Sequence, residues 1–236
     1  MIRLEHVCKS YRTPEGRRVV LNDASVVIPH GRSLAIIGGN GAGKSTLIRL
    51  IAGTEAPDSG RILRGGRGLS FPLGFGGTLH PKLSGRENVV FLARLYGVDA
   101  GDAARYVEAF AELGTYFRMP VETYSSGMRA RLAFGACLAI PFDVYLIDEV
   151  TSVGDARFRD RCLQAFRARM DHADVIMVTH DFDTMRAYCD AGAVLADGRL
   201  TLFDDLEDAI ACHVASLRQV GAKPPRPAGD GQRNAA

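Results

Sequence analysis

The sequence predicts an α/β protein whose parallel sheet is covered by helices on both faces, with an antiparallel β region at its N-terminus and a helical subdomain inserted midway. Three observations predict it. Compact apolar runs, SLAII at 33–37, VYLI at 144–147 and VIMV at 175–178, alternate with helical patterns, as in a parallel sheet buried on both sides. A Gly-rich turn joins the first of these runs to a helical pattern. Residues 84–139 show helical periodicity and no convincing strand.

The elements follow in order. Residues 2–7, 19–21 and 25–28 are short β-like runs separated by turn-rich stretches such as TPEG, and they read as a small sheet. After the run at 33–37 and its Gly-rich loop, STLIRLIAG has helical spacing and ends at Gly53. The turn PDSG and the strand RIL lead into a Gly-rich region at 65–77. Ser84 with Glu87 three residues later forms a capping box that starts a helix. Helical segments are expected at about 85–96, 101–113 and 126–139. The core resumes at VYLI, continues through a helix carrying Phe158 and Phe166, the strand VIMV and another helix, and closes on a hairpin turning at Asp197 and Gly198. The organisation expected is a domain over 1–212, with the helical part at about 84–139, and a loose Pro- and Gly-rich tail over 213–236.

Composition narrows the function. A chain of 236 residues with 47% hydrophobic and 24% charged residues matches a globular protein with one large core, not a disordered or collagen-like one. Its 29 basic residues are nearly balanced by 27 acidic ones, so no nucleic-acid partner is expected. The five cysteines are odd in number and never form a CxxC pair, which fits reduced thiols and neither a disulfide framework nor a zinc site. The uncharged apolar stretch 132–142, like every other uncharged run in the chain, is short of the roughly 17–25 residues of a membrane helix. Any membrane role must therefore come through a partner.

GGNGAGKS at 38–45 matches G-x-x-x-x-G-K-[ST] between a buried strand and a helix. Gly38, Gly39, Asn40, Gly41, Ala42 and Gly43 let successive N–H groups face a phosphate, and Thr46 at the helix start is a further nucleotide-binding candidate. Lys44 is expected on the β- and γ-phosphates and Ser45 on Mg²⁺. VYLIDE delivers Asp148 and Glu149 at a strand's C-terminal edge, where ligands bind in such sheets. Asp148 is the Mg²⁺ candidate and Glu149 the general base for an attacking water. The long helical insertion between Lys44 and Asp148 is unlike small GTPases. No Asn-Lys-x-Asp box is present, since the asparagines are followed by Asp23, Gly41, Val89 and Ala235; ATP is the expected nucleotide.

TYSSGMRARLAFG places Ser125, Ser126 and Gly127 at a helix start ahead of VYLIDE. It resembles the ABC ATPase signature, usually LSGGQ and here YSSGM. Tyr11 resembles the family's adenine-stacking aromatic, SVGD at 152–155 its D-loop, and His180 in VTHD its switch histidine. The resemblance covers the chain to about residue 212. It is nearest the ATPase subunits of capsular polysaccharide exporters, through SYRTPEGR, LSGREN, ETYSSGMRARL and DEVTSVGDARF. The resemblance implies ATP hydrolysis with Mg²⁺, and a head-to-tail pair in which Ser126 and Gly127 of one copy bind the γ-phosphate held by the other. It also implies an integral membrane permease that handles a lipid-linked polysaccharide, and a position at the cytoplasmic face of the bacterial inner membrane. O-antigen and teichoic-acid exporter ATPases share a related core, and non-transport ABC ATPases are a further alternative. One departure stands out: FPLGFGGTLHPKLSG, where the family has its Q-loop glutamine, contains none, and His80 sits about there.

Overall fold

The computed structural model describes residues 1–66, 68–73, 79–148, 156–170 and 172–221. Two long antiparallel strands come first, β1 (Ile2–Thr13) and β2 (Gly16–Ile28). Both outrun the short stretches expected at 2–7, 19–21 and 25–28. Register shifts between Leu4 and Ser10 absorb the breaks in alternation, so polar residues join the ladder without losing the buried face. β3 (Leu34–Ile37) opens a second sheet, α1 (Lys44–Ala52) follows, and β4 (Ser59–Leu63) returns to pair with β1, giving the order β2-β1-β4.

The insertion holds α2 (Gly85–Leu95), α3 (Ala100–Ala111) and α4 (Ser126–Ala139), with two short 3₁₀ turns and, among the described residues, no strand. The capping box forms as expected: the Ser84 hydroxyl accepts from the Glu87 N–H while the Glu87 carboxylate accepts from the Ser84 N–H. The core then resumes with β5 (Val144–Asp148), α5 (Ala156–Met170), β6 (Asp174–Val178), α6 (Phe182–Tyr188), β7 (Ala191–Ala196), β8 (Arg199–Phe203) and α7 (Leu206–Gly221). The second sheet has the order β5-β6-β3-β7-β8, parallel except for β8.

Period-two alternation explains why its strands are uninterrupted apolar runs. Leu34 and Ile36, Val144 and Leu146, Ile176 and Val178 face one core with Leu47, Ile48, Leu50 and Ile51 of α1 and with Ile2 and Leu4 of β1. Ala35 and Ile37, Tyr145 and Ile147, Val175 and Met177 face the other, shared with α2, α3 and α4. α1 is thereby clamped between the two sheets.

Two further features escaped the sequence pattern. Residues 69–73 run beside β5 through bridges at Leu69 and Leu73, and the Asp148 N–H donates to the Leu73 carbonyl at 2.8 Å. At the other end, position 213, where the tail was expected to begin, lies inside α7, whose Leu206, Ala209 and Ile210 are buried. A Cβ on Gly192 of β7 would lie 2.3 Å from the Ala209 Cβ, so the helix sits almost on the strand. The five cysteines are unpaired. Burial pushes the thiols of Cys162 and Cys189 up to about 12 and raises that of Cys137 as well, leaving these three as inert packing.

Candidate nucleotide-binding site

The loop between β3 and α1 is shaped by close approach. A Cβ on Gly38 would lie 2.5 Å from the Leu195 carbonyl oxygen. Gly43, at φ 106°, caps α1, and a Cβ there would lie 2.2 Å from Val20 Cγ1. No other residue type fits such a position without strain. Gly41 is also left-handed, and its carbonyl accepts from the Arg18 guanidinium. The Ala42 N–H turns back to the Gly39 carbonyl at 3.1 Å, and the Leu47 N–H begins the helical ladder on Gly43 at 2.9 Å. The unsatisfied N–H groups at the head of α1 and its dipole suit an anion.

Lys44 is buried, only 7% exposed, with Nζ donating to the carbonyls of Gly38 at 2.8 Å and Gly39 at 3.1 Å. The Ser45 hydroxyl donates to Oδ1 of Asp148, itself buried at the C-terminal end of β5, at 3.2 Å. Two hard oxygen donors meeting beside a loop built for phosphate fit a magnesium ion, which takes a few protein oxygens and completes its shell with water and phosphate.

Lys44 and Ser45 open on one cavity of about 560 Å³. Asn40, Gly41, Gly43, Lys44, Ser45 and Thr46 line it from the loop, Tyr11 from β1, and His180 from just beyond β6. The exposed His180 thus stands at the expected sheet edge. Thr13, Arg18, Val20 and Val178 also line the cavity and were not anticipated; three of them lie in the β1–β2 hairpin, which no spacing rule ties to residue 38. His213 was missed for a different reason. α7 brings its half-buried ring near the site, where burial, then the positive charges of Lys44 and His180, hold its pKa below the ordinary 6.5.

Ser126 and Gly127 form the first turn of α4, capped by the Ser125 hydroxyl accepting from the Met128 N–H at 3.2 Å. They do not line this cavity; Ser126 is exposed, and Gly127 borders a separate hollow of 370 Å³ with Glu112, Tyr116 and Arg131. His80 is likewise absent from the lining residues. Its main chain is held by Asn88, which accepts from its N–H at 2.7 Å and donates to its carbonyl at 3.1 Å, and its side chain is exposed. Glu149, the 152–155 stretch and residues 74–78 lie outside the described residues.

A glycine loop between a buried strand and a helix, with its serine bonded to a carboxylate at the end of a second parallel strand, defines a P-loop nucleotide-binding protein. Residues 21–152 match the ABC transporter family. The chain belongs to that family. It is 50% identical over 196 residues to the polysialic acid transport ATP-binding protein KpsT of Escherichia coli, covering 82% of this chain and 87% of that one. It is 47% identical over 210 residues to the capsule polysaccharide export ATP-binding protein CtrD of Neisseria meningitidis serogroup B, covering 89% and 96%. The O-antigen export system ATP-binding protein RfbB of Klebsiella pneumoniae is more distant, 34% identical over 200 residues, covering 83% and 81%. Among solved structures, an ATP-binding subunit of an ABC transporter superimposes with a TM-score of 0.73 at 23% identity, covering 94% of this chain and 98% of that one. A bacterial ABC transporter cassette solved as a dimer gives 0.67 at 25% identity, covering 85% and 96%.

Proposed function

We propose that this chain is the ATP-hydrolysing subunit of an exporter that drives capsular polysaccharide across the bacterial inner membrane through a separate integral membrane permease. The observation that carries the nucleotide reading is that Lys44 and Ser45 line one cavity at the head of α1 while the Ser45 hydroxyl is bonded to Asp148. The polysaccharide reading is supported by identities of 50% and 47% to the two capsule-type proteins against 34% to the O-antigen protein.

In this reading the loop N–H groups and the N-terminus of α1 hold the phosphates, and Lys44 exchanges its carbonyl partners for phosphate oxygens. Ser45 and Asp148 would hold Mg²⁺, which supplies charge neutralisation on the phosphates when bound. Tyr11 offers its ring to the adenine. Glu149 takes the proton of the attacking water, and His180 donates to the γ-phosphate as charge develops there. Ser126 and Gly127, on a helix start away from the cavity, complete the site of a second copy in a head-to-tail pair. The permease carries the lipid-linked polymer, and the open–closed cycle of the pair works on it from the cytoplasmic face. Among the described residues no helix is long and apolar enough to cross a membrane.

The decisive measurement is sedimentation of Glu149→Gln with and without ATP. Retained binding with lost hydrolysis should trap a dimer, and a variant that stays monomeric in saturating ATP would sink the head-to-tail arrangement. Fractionation of a deletion strain tests the cargo. Polymer should be made and remain inside, whereas normal surface polymer would sink the export reading.

A further inference from the structure

Beside the cavity lies a polar cluster centred on Glu55, a residue that the proposed chemistry does not use. Glu55 sits just past the end of α1, with its side chain 19% exposed. One carboxylate oxygen accepts from the Tyr11 hydroxyl and from Lys9 Nζ at 2.9 Å; the other accepts from Arg49 Nε at 2.9 Å. The Tyr11 hydroxyl also lies 3.2 Å from Thr46 Oγ1. Arg49 closes the ring of contacts by donating to Thr46 at 3.0 Å and to Tyr11 at 3.4 Å. Lys9 stands over the Tyr11 ring, 5.3 Å from its centroid, and is itself tied to the Ala56 carbonyl at 2.8 Å.

This arrangement joins two parts that the chain leaves separate. Tyr11 belongs to β1 in the antiparallel sheet, and Thr46 belongs to α1, one residue from the serine that meets Asp148. Packing alone leaves a tyrosine on a strand free to change rotamer, and ordering it at the moment of binding costs affinity. A carboxylate that accepts a hydrogen bond from the phenol while held by two cations removes that freedom beforehand.

We propose that Glu55 is a positioning residue for the nucleotide base: by clamping the Tyr11 hydroxyl against Thr46, it sets the aromatic platform at a fixed reach from the phosphate cradle. The cavity is thereby tuned to a nucleoside triphosphate with a planar base rather than to polyphosphate alone. The proposal rests on the reading of this cavity as an ATP site with Tyr11 under the base.

Calorimetric titration of the full chain with Mg·ATP and with Mg·tripolyphosphate tests it. Glu55→Gln should weaken ATP about tenfold while changing tripolyphosphate less than about twofold. KM should rise with kcat nearly unchanged. Tyr11→Phe, which keeps the ring and loses the clamp, should show the same selective loss, and the double variant should be no worse than the worse single. Equal losses for ATP and tripolyphosphate would show that Glu55 merely holds the fold together and would overturn the proposal. If Tyr11→Ala weakens ATP but neither Glu55→Gln nor Tyr11→Phe does, the clamp falls and the base platform stands. If Tyr11→Ala also leaves ATP binding intact, the base platform itself is wrong.

Discussion

The hydroxyl of Ser45 donates to the carboxylate of Asp148 at 3.2 Å, across 103 positions of sequence. The contact places the loop that would hold phosphate and the strand end that would hold the metal within one hydrogen bond of each other. The protein thus presents a preformed pair of oxygen donors.

Lys44→Ala is expected to lose at least about 100-fold in ATP affinity, since the main side-chain cation on the phosphates is gone. The melting temperature should also fall by a few degrees, because the carbonyls of Gly38 and Gly39 lose their buried donor. Fluorescent nucleotide titration alongside a thermal melt checks both, and unchanged affinity would remove the phosphate role of the loop.

Gly43→Ala forces a Cβ onto Val20 at a backbone φ of 106°. A cost of about 2 kcal/mol is expected, lowering the melting temperature by roughly 4–8 °C. Adding Val20→Ala should recover part of the loss by relieving the collision, while the strain from the left-handed backbone remains. If Gly43→Ala melts like the parent, the close approach of β2 to the loop is not real.

Acid should loosen the Glu55 clamp. Burial raises the Glu55 pKa, but the hydrogen bonds from Tyr11, Lys9 and Arg49 outweigh it and hold the carboxyl down at about 2, against an ordinary 4.5. A folded-state pKa below the unfolded one contributes stability that is present above pH 4.5 and is lost as pH falls toward 2. That contribution is at most about 3 kcal/mol, and about half of it after solvent screening. Denaturant melts between pH 6 and 2.5 should therefore show Glu55→Gln losing less stability on acidification than the parent. Parallel curves for the two proteins would contradict the clamp's charge.

His213 should report nucleotide binding. Its burial and the cations Lys44 and His180 lower its pKa from 6.5, so the neutral ring is favoured in the fold. The related stability is present above pH 6.5 and is lost as pH falls through the lower folded value. Phosphate bound at Lys44 offsets the positive field, so ATP should move the His213 pKa upward, as read by NMR titration of its ring protons with His213→Gln as the assignment control. A downward or absent shift would mean that α7 does not sense the site.

The sequence by itself determined the α/β class, the helical insertion, the glycine loop and the carboxylate at the end of VYLI, because each rests on local spacing. Strand alternation, a capping box at Ser84 and a Gly-rich turn are written within a few residues, and glycine at 43 announces a backbone that only glycine adopts. Tertiary structure alone decided what lies across from these residues. Sequence spacing does not show that Arg18 reaches the Gly41 carbonyl, that Val20 fills the space a side chain at 43 would need, or that Glu55 grips the Tyr11 hydroxyl. Nor does composition predict that α7 continues past position 212 and sets His213 near the site, since helix length there depends on burying Leu206, Ala209 and Ile210. The physical reason is the same throughout: hydrogen bonds and packing act over a few ångströms of space, and the separation along the chain between partners such as Ser45 and Asp148 is settled only when the sheet assembles.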